Sequence, residues 1–218
     1  MKGTFPWYVA RSSGLVAWAL LAGAVVWGLL MTSKLVRRWV KNSWLLDLHR
    51  WLGGLALVFT GVHVVAILGD SYVHFGLASV LIPFASHWHP LAVAWGVASL
   101  YLLAAVELTS LARRRLPHRL WRRLHLLSFP LFVTSTIHGL SAGTDGRTDL
   151  AIITALLTVA AVAVLTALRL DEASQPARPA GSSGSSRSSP DRAAALAAAR
   201  RAAAQRAEAR CEPPVLVG

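Results

Sequence analysis

Four histidines stand in stretches of sequence that otherwise suit an apolar environment. Residues 49–63 read HRWLGGLALVFTGVH, and residues 125–138 read HLLSFPLFVTSTIH. The nitrogen of a neutral imidazole is a common ligand of transition metals and of haem iron. In hydrocarbon an imidazole needs a ligand or a hydrogen-bonding partner, because an unpaired polar group there is costly. These histidines therefore serve either ligation or a structural role.

The spacing of these histidines arranges them as two pairs. His49 and His63 are 14 residues apart, and His125 and His138 are 13 apart. In a helix these separations correspond to about 21 Å and about 20 Å. If both segments run in the same direction, His49 faces His125 at one depth and His63 faces His138 at another. Bis-histidine ligation of haem needs such pairs, and two stacked haems would form an electron path through a bilayer.

Other roles for the four histidines stay open at this stage. They can lie among lipid headgroups, bond to a neighbouring helix or belong to a proton path. Rotation around the helix is a second open question. Fourteen residues return a side chain to within about 40° of its start, whereas thirteen leave it about 140° away. Pro130 can kink or rewind the second segment, and an offset of the two haems is the alternative.

The composition favours a membrane protein. The chain has 218 residues, 55% of them hydrophobic, and a mean hydropathy of +0.50. Apolar residues occur in long runs, and a run of about 20 residues can cross the ~30 Å hydrocarbon core. We expect an all-α, polytopic transmembrane helix bundle of about five spans, near 11–31, 49–69, 90–111, 121–142 and 149–169.

The composition changes after the last apolar run. We expect a transmembrane domain over residues 1–170 and a low-complexity tail, rich in Ala, Arg, Ser and Pro, over 171–218. The first part of that tail is typical of a disordered linker. An Ala/Arg-rich segment follows, and Pro190 can begin a helix there.

The charge distribution predicts the orientation. The net charge is +12, but the basic residues cluster between apolar runs and in the tail, so we do not expect nucleic-acid binding. Under the positive-inside rule the N-terminus is outside and the tail is cytoplasmic, as in a multi-pass protein of a bacterial cytoplasmic membrane. The single cysteine, Cys211, excludes an internal disulfide and covalent attachment of haem through C-x-x-C-H.

The segments LHRWLGG and WRRLHLLSFPLF, with their histidine spacings of 14 and 13, resemble the ferric reductase-like transmembrane domain over about residues 7–170. That family includes the membrane parts of ferric reductases and NADPH oxidases, and the haem subunit of the periplasmic methionine sulfoxide reductase system. The resemblance implies a cytochrome with two b-type haems. It places His49 and His125 on the cytoplasmic-side haem, and His63 and His138 on the outer-side haem.

The chain also departs from the larger members of that family. Five spans are fewer than the six common there, and no G-x-G-x-x-G follows the last span. We therefore expect the electron donor to be a separate flavoprotein, ferredoxin-like protein or quinol, with an extracytoplasmic acceptor. For haem propionates, arginines near the sites are candidate partners, although membrane topology alone can explain the cytoplasmic ones. These candidates are Arg11 on the outer side and Arg50, Arg119, Arg122 and Arg123 on the inner side.

Two further groups of polar residues have competing explanations. Glu107 lies inside a predicted span, where we expect it to pair with Arg113 or Arg114 and where a quinone or proton step is the alternative. Asp70 and three loop histidines can bind a metal ion, or simply be solvated. The three histidines are His74, His87 and His89.

The functional hypotheses differ in class. The favoured one is a transmembrane electron-transfer protein, either an oxidoreductase or the haem subunit of one. The alternatives are a non-enzymatic membrane protein, which would be a haem-binding sensor, an assembly subunit or a bundle with structural histidines, and a quinol-linked cytochrome that uses Glu107 for protons.

Overall fold

The long apolar runs form helices. The computed structural model describes residues 5–32, 42–70, 75–143, 146, 148–174 and 190–209, and these contain no β-strand. A short 3₁₀ turn, Ala112–Arg114, follows the fourth helix. The α-helices are α1 (Phe5–Thr32), α2 (Asn42–Leu68), α3 (Leu77–Leu81), α4 (Pro90–Leu111), α5 (His118–His125), α6 (Ser128–Ala142), α7 (Asp149–Ser174) and α8 (Pro190–Ala209).

Four of these helices, α1, α2, α4 and α7, are long and apolar enough to cross a membrane. Large apolar side chains point outward, among them Trp51, Leu111 and Leu150, which are 69%, 79% and 77% exposed. Many of the buried residues are alanines, such as Ala17 and Ala56. Small residues between helices and large apolar residues facing outward are typical of a bundle in lipid. The fold is an all-α transmembrane bundle, as predicted.

The predicted continuous span over 121–142 is wrong in one respect. The chain there forms two helices, α5 and α6, separated at Leu126 and Leu127. The N–H of Leu127 donates to the carbonyl of Leu124 at 3.0 Å, and that of Phe129 donates to Leu126 at 3.1 Å. These are the shorter steps of a 3₁₀ helix. Pro130 explains the break, because it has no N–H to donate to the carbonyl four residues earlier.

Among the described residues of the bundle, α1 contacts several other helices. It lies along α2 and also contacts α6, while α4 lies along α6. An apolar cluster joins Val25 and Leu29 of α1 to Phe132 of α6 and Val162 of α7. The indole N–H of Trp18 donates to Thr136 Oγ1 at 3.0 Å. This packing places the two histidine-bearing segments, α2 and α5–α6, within reach of each other.

The chain divides into two compact units, Met1–Ala173 and Ser174–Gly218. The bundle belongs to the first. In the second, α8 begins at Pro190, so the predicted helix of the tail is confirmed. The expected domain boundary at residue 170 falls within α7, which continues to Ser174.

Candidate functional site

The environment of His63 is the clearest part of the site. Its Nδ1 lies 2.6 Å from the backbone carbonyl oxygen of Ala10 on α1. Gly14 is four residues further along α1, and a Cβ added there would lie only 2.8 Å from the same Nδ1. The imidazole therefore occupies the space that a side chain at position 14 would need.

The same arrangement recurs at His49. Its Nδ1 lies 3.1 Å from the carbonyl oxygen of Ala24, and Gly28, four residues after Ala24, would bring a Cβ to 3.2 Å from the ring. Like His63, His49 is on α2 and uses a carbonyl of α1.

His138 repeats the arrangement on a different pair of helices. Its Nδ1 lies 2.8 Å from the carbonyl oxygen of Ala92 on α4. A Cβ at Gly96 would lie 2.7 Å from the ring. Three of the four histidines thus share one local device: a helix carbonyl and the glycine four residues after it.

Helix geometry explains this device. The carbonyl of a helical residue points toward the N–H of the residue four positions later, so a side chain at that later position would shield it. Glycine leaves the oxygen open to a neighbouring helix. A carbonyl can only accept, so Nδ1 must carry the proton, and Nε2 of the neutral ring keeps its lone pair. Metal-bound histidines are commonly oriented in this way.

The four histidines meet as two pairs. In the first pair, His49 and His125, the ring centroids are 5.9 Å apart and the rings are inclined at 74°. In the second pair, His63 and His138, these values are 6.3 Å and 80°. The 3₁₀ segment between His125 and His138 turns the chain more per residue than an α-helix does, which reduces the mismatch expected from their 13-residue spacing.

The two distances fit haem. A metal–imidazole bond is about 2 Å and a ring nitrogen lies about 1.1 Å from the ring centre, so two imidazoles that held one metal ion between them would have centroids about 6 Å apart. Both pairs match this separation, and all four rings are half-buried. No group of three or more His, Cys, Asp or Glu side chains able to hold a metal occurs among the described residues. A cofactor that needs two protein ligands suits these pairs.

His125 differs from the other three histidines. Its Nδ1 is buried and has no hydrogen-bonding partner among the residues that the structure describes. The ring instead stacks on Trp121, with centroids 5.2 Å apart and planes inclined at 22°. The guanidinium of Arg113 lies 4.4 Å from the Trp121 ring centre. We call Arg113, Trp121 and His125 the Trp121 stack.

The arginines predicted to bind propionates are in three different situations. Arg11 follows Ala10, whose carbonyl orients His63, and its guanidinium lies 5.0 Å from the ring centre of Trp7. Arg50 is next to His49 and approaches Asp47 at 3.8 Å, with both side chains more than half exposed. The remaining three, Arg119, Arg122 and Arg123, lie on α5 and are exposed. Their role as propionate partners stays a prediction.

The prediction that Glu107 pairs with Arg113 or Arg114 is wrong. Its Oε1 lies 2.8 Å from where a Cβ of Gly53 would be. Arg113 stacks on Trp121 instead. The missing side chain at position 53 gives the carboxyl room against α2, one helical turn from His49.

The proposed metal site in the loop is not formed by the residues that the structure describes. His74 lies outside them. Asp70 is buried, and His89 packs on Trp88, with ring centroids 4.5 Å apart. Metal binding by this loop stays a prediction without support.

Comparison with known protein families identifies a match. Residues 13–136, more than half of the chain, match the family described as ferric reductase like transmembrane component. The chain belongs to this family. His49, His63 and His125 lie within the match, and His138 lies two residues beyond it. No curated protein and no solved structure matches the chain.

Membership in the ferric reductase-like family makes the bundle a membrane electron-transfer module of a kind that typically binds haem. Sequence reasoning found the four histidines but missed the glycines that receive them. A signal was available, because Gly14 and Gly28 are 14 residues apart, like His49 and His63.

Proposed function

We propose that this chain is a two-haem b-type cytochrome that carries electrons across the membrane as the haem subunit of a reductase. The single observation that carries the proposal is the presence of two facing histidine pairs at haem-ligand separation. His49 and His125 would hold one haem, and His63 and His138 the other. When bound, haem iron supplies a one-electron carrier at each pair.

The positions of the pairs support transport rather than storage. His49 and His63 are on one unbroken helix, α2, and their 14-residue separation spans about 21 Å. A single site would leave most of the ~30 Å hydrocarbon core uncrossed, whereas two sites divide it into shorter steps. The protein residues orient the ligands, exclude water and bring the two sites close enough for electron transfer.

The orientation and the partners are part of the proposal. Six exposed arginines lie between α4 and α6: Arg113, Arg114, Arg115, Arg119, Arg122 and Arg123. The positive-inside rule puts this end, with the first pair, in the cytoplasm of a bacterial cell. A separate flavoprotein, ferredoxin-like protein or quinol would then reduce the first pair, and an extracytoplasmic acceptor would oxidise the second.

The decisive experiment is a reduced-minus-oxidised absorbance spectrum of the purified full chain, with extracted haem counted per chain. We expect a b-type spectrum and about two haems. His63→Ala should leave about one, and His87→Ala, outside both pairs, should leave two. A wild-type chain without haem after expression with ample haem would contradict the proposal.

Transport itself can be measured in liposomes. Dithionite outside and ferricyanide trapped inside should react through the wild-type protein. Liposomes containing His63→Ala should react at the rate of protein-free liposomes, because the path lacks its second carrier. If dithionite reduces both haems but the trapped ferricyanide persists, the chain binds haem without carrying electrons across the membrane, as a sensor or assembly subunit would.

A further inference from the structure

The second pair and the first pair are held differently. Both histidines of the second pair donate Nδ1–H to a backbone carbonyl, at 2.6 Å for His63 and 2.8 Å for His138. In the first pair only His49 does so, at 3.1 Å. Within the described part of the chain, the buried Nδ1 of His125 has no such partner.

The reason lies in α4. Counting 14 residues from Gly96, as from Gly14 to Gly28 on α1, gives Ser110 rather than a glycine. The carbonyl four residues earlier, that of Val106, accepts a hydrogen bond from the hydroxyl of Thr109 at 3.1 Å. The carbonyl of Ala10 accepts a similar bond from Ser13 and still serves His63. The difference at Val106 is therefore that a serine, and not a glycine, lies four residues after it.

The imidazole of His125 contacts the ring of Trp121 where the other three histidines contact a backbone carbonyl. Trp121 is one helical turn before His125 on α5, and its ring lies nearly parallel to the imidazole. Arg113, from the turn after α4, covers the indole ring through a cation–π contact. Among the described residues, this stack and the edge contact with His49 are the ring contacts that restrain the imidazole of His125.

We propose that Trp121 is a positioning residue for His125, and that the exchange of a carbonyl for a stacked indole makes the first pair the weaker and more oxidising of two haem sites. This inference rests on the proposed function. A carbonyl that accepts Nδ1–H makes Nε2 a more basic ligand, and loss of such a partner typically lowers metal affinity about 10–100-fold.

The sign of the potential follows from the same contacts. A more basic imidazole stabilises ferric over ferrous iron, so two carbonyl-bonded ligands lower the potential of the second pair. The first pair has one such ligand, and the positive charge of Arg113 beside its stack favours the less positive ferrous state. For each tenfold by which the second pair prefers ferric over ferrous iron more strongly than the first, the potential of the first pair is about 59 mV above that of the second.

The test uses the purified full chain with haem bound. The variants are Trp121→Leu and Trp121→Phe, and the matched control is Trp51→Leu, which changes an exposed tryptophan of α2. Haem per chain is counted after dilution, and each haem is titrated by optical redox titration. Trp121→Leu should fall from about two haems to about one, while the haem of the second pair keeps its potential. Trp121→Phe retains a stacking ring and should keep both haems, and Trp51→Leu should match wild type.

The order of potentials is a separate readout that needs no substitution at Trp121. His138→Ala removes the haem of the second pair. The reduction potential of the haem that remains should equal the higher of the two potentials of the wild-type protein. Two haems and unchanged potentials in Trp121→Leu would overturn the positioning role of Trp121. If the haem that remains in His138→Ala has the lower of the two wild-type potentials, the proposed order of potentials is overturned. A wild-type chain without haem would instead contradict the proposed function itself.

Discussion

Gly14, Gly28 and Gly96 each leave a backbone carbonyl open to the histidine of a neighbouring helix. A glycine inside a helix normally weakens it by about 0.5–1 kcal/mol relative to alanine, so these positions carry a cost in helix stability. That cost is offset at each site by a hydrogen bond that fixes the tautomer and orientation of an imidazole. Ligand geometry in this bundle is therefore set by residues that are not ligands.

This gives a prediction for Gly14→Ala. The added Cβ would lie 2.8 Å from Nδ1 of His63, so the ring must move and lose its bond to Ala10. We expect loss of the second-pair haem and a destabilisation of about 1–3 kcal/mol, as for other overpacked sites. Gly23→Ala on the same helix is the control, because a Cβ there meets nothing within 4 Å. Haem per chain and the thermal unfolding temperature are measured for both variants. Equal haem content in the two would show that His63 does not need a glycine at position 14.

Single residues were only partly predictable from the sequence. His49, His63, His125 and His138 stood out because an imidazole in an apolar run needs a reason. The partner of Glu107 was predicted wrongly, since Arg113 is close in sequence but stacks on Trp121. A helix pattern gives the face on which a residue lies, but it does not say which neighbour on another helix lacks a side chain there.

At the scale of elements, the break between α5 and α6 matters most. A regular helix would leave His125 and His138 about 140° apart around its axis. Instead, 3₁₀ steps through Leu124, Leu126 and Phe129 add rotation, and both rings reach partners on α2. The sequence offered Pro130 as one possible cause of a kink. It did not reveal that the break lies before the proline, where the carbonyl of Leu126 accepts from the N–H of Phe129 rather than from residue 130.

Pro130→Ala tests this role. Alanine restores an N–H for the carbonyl of Leu126 and favours a continuous helix from α5 into α6, because proline within a helix costs about 3 kcal/mol. We expect helicity by circular dichroism to stay equal or rise while haem per chain falls below two. Pro117→Ala, which precedes both histidines and leaves their spacing unchanged, is the control. Full haem content with unaltered spectra in Pro130→Ala would show that the break is not needed for alignment.

At the scale of the whole molecule, the sequence predicted the four long apolar helices α1, α2, α4 and α7, and most of their ends lie within a few residues of the predicted positions. Such spans can be predicted from sequence because, in hydrocarbon, every backbone N–H and C=O group must form a hydrogen bond within its own helix. How the spans pack was not readable, because their exposed faces are as apolar as lipid. Alanine and glycine, which carry little pattern, decide which faces meet.

The single cysteine offers a test of orientation for the whole chain. The positive-inside rule predicts that the end of the bundle with the basic segments is cytoplasmic, and in the proposed orientation the tail that carries Cys211 is cytoplasmic as well. A membrane-impermeant maleimide should therefore label it only after cells are opened. Thr148→Cys in a Cys211→Ser background should be labelled in intact cells, because Thr148 lies at the opposite end, just before α7. If intact cells label Cys211 and exclude the reagent from position 148, the bundle is inverted, and the first pair would then face the extracytoplasmic partner.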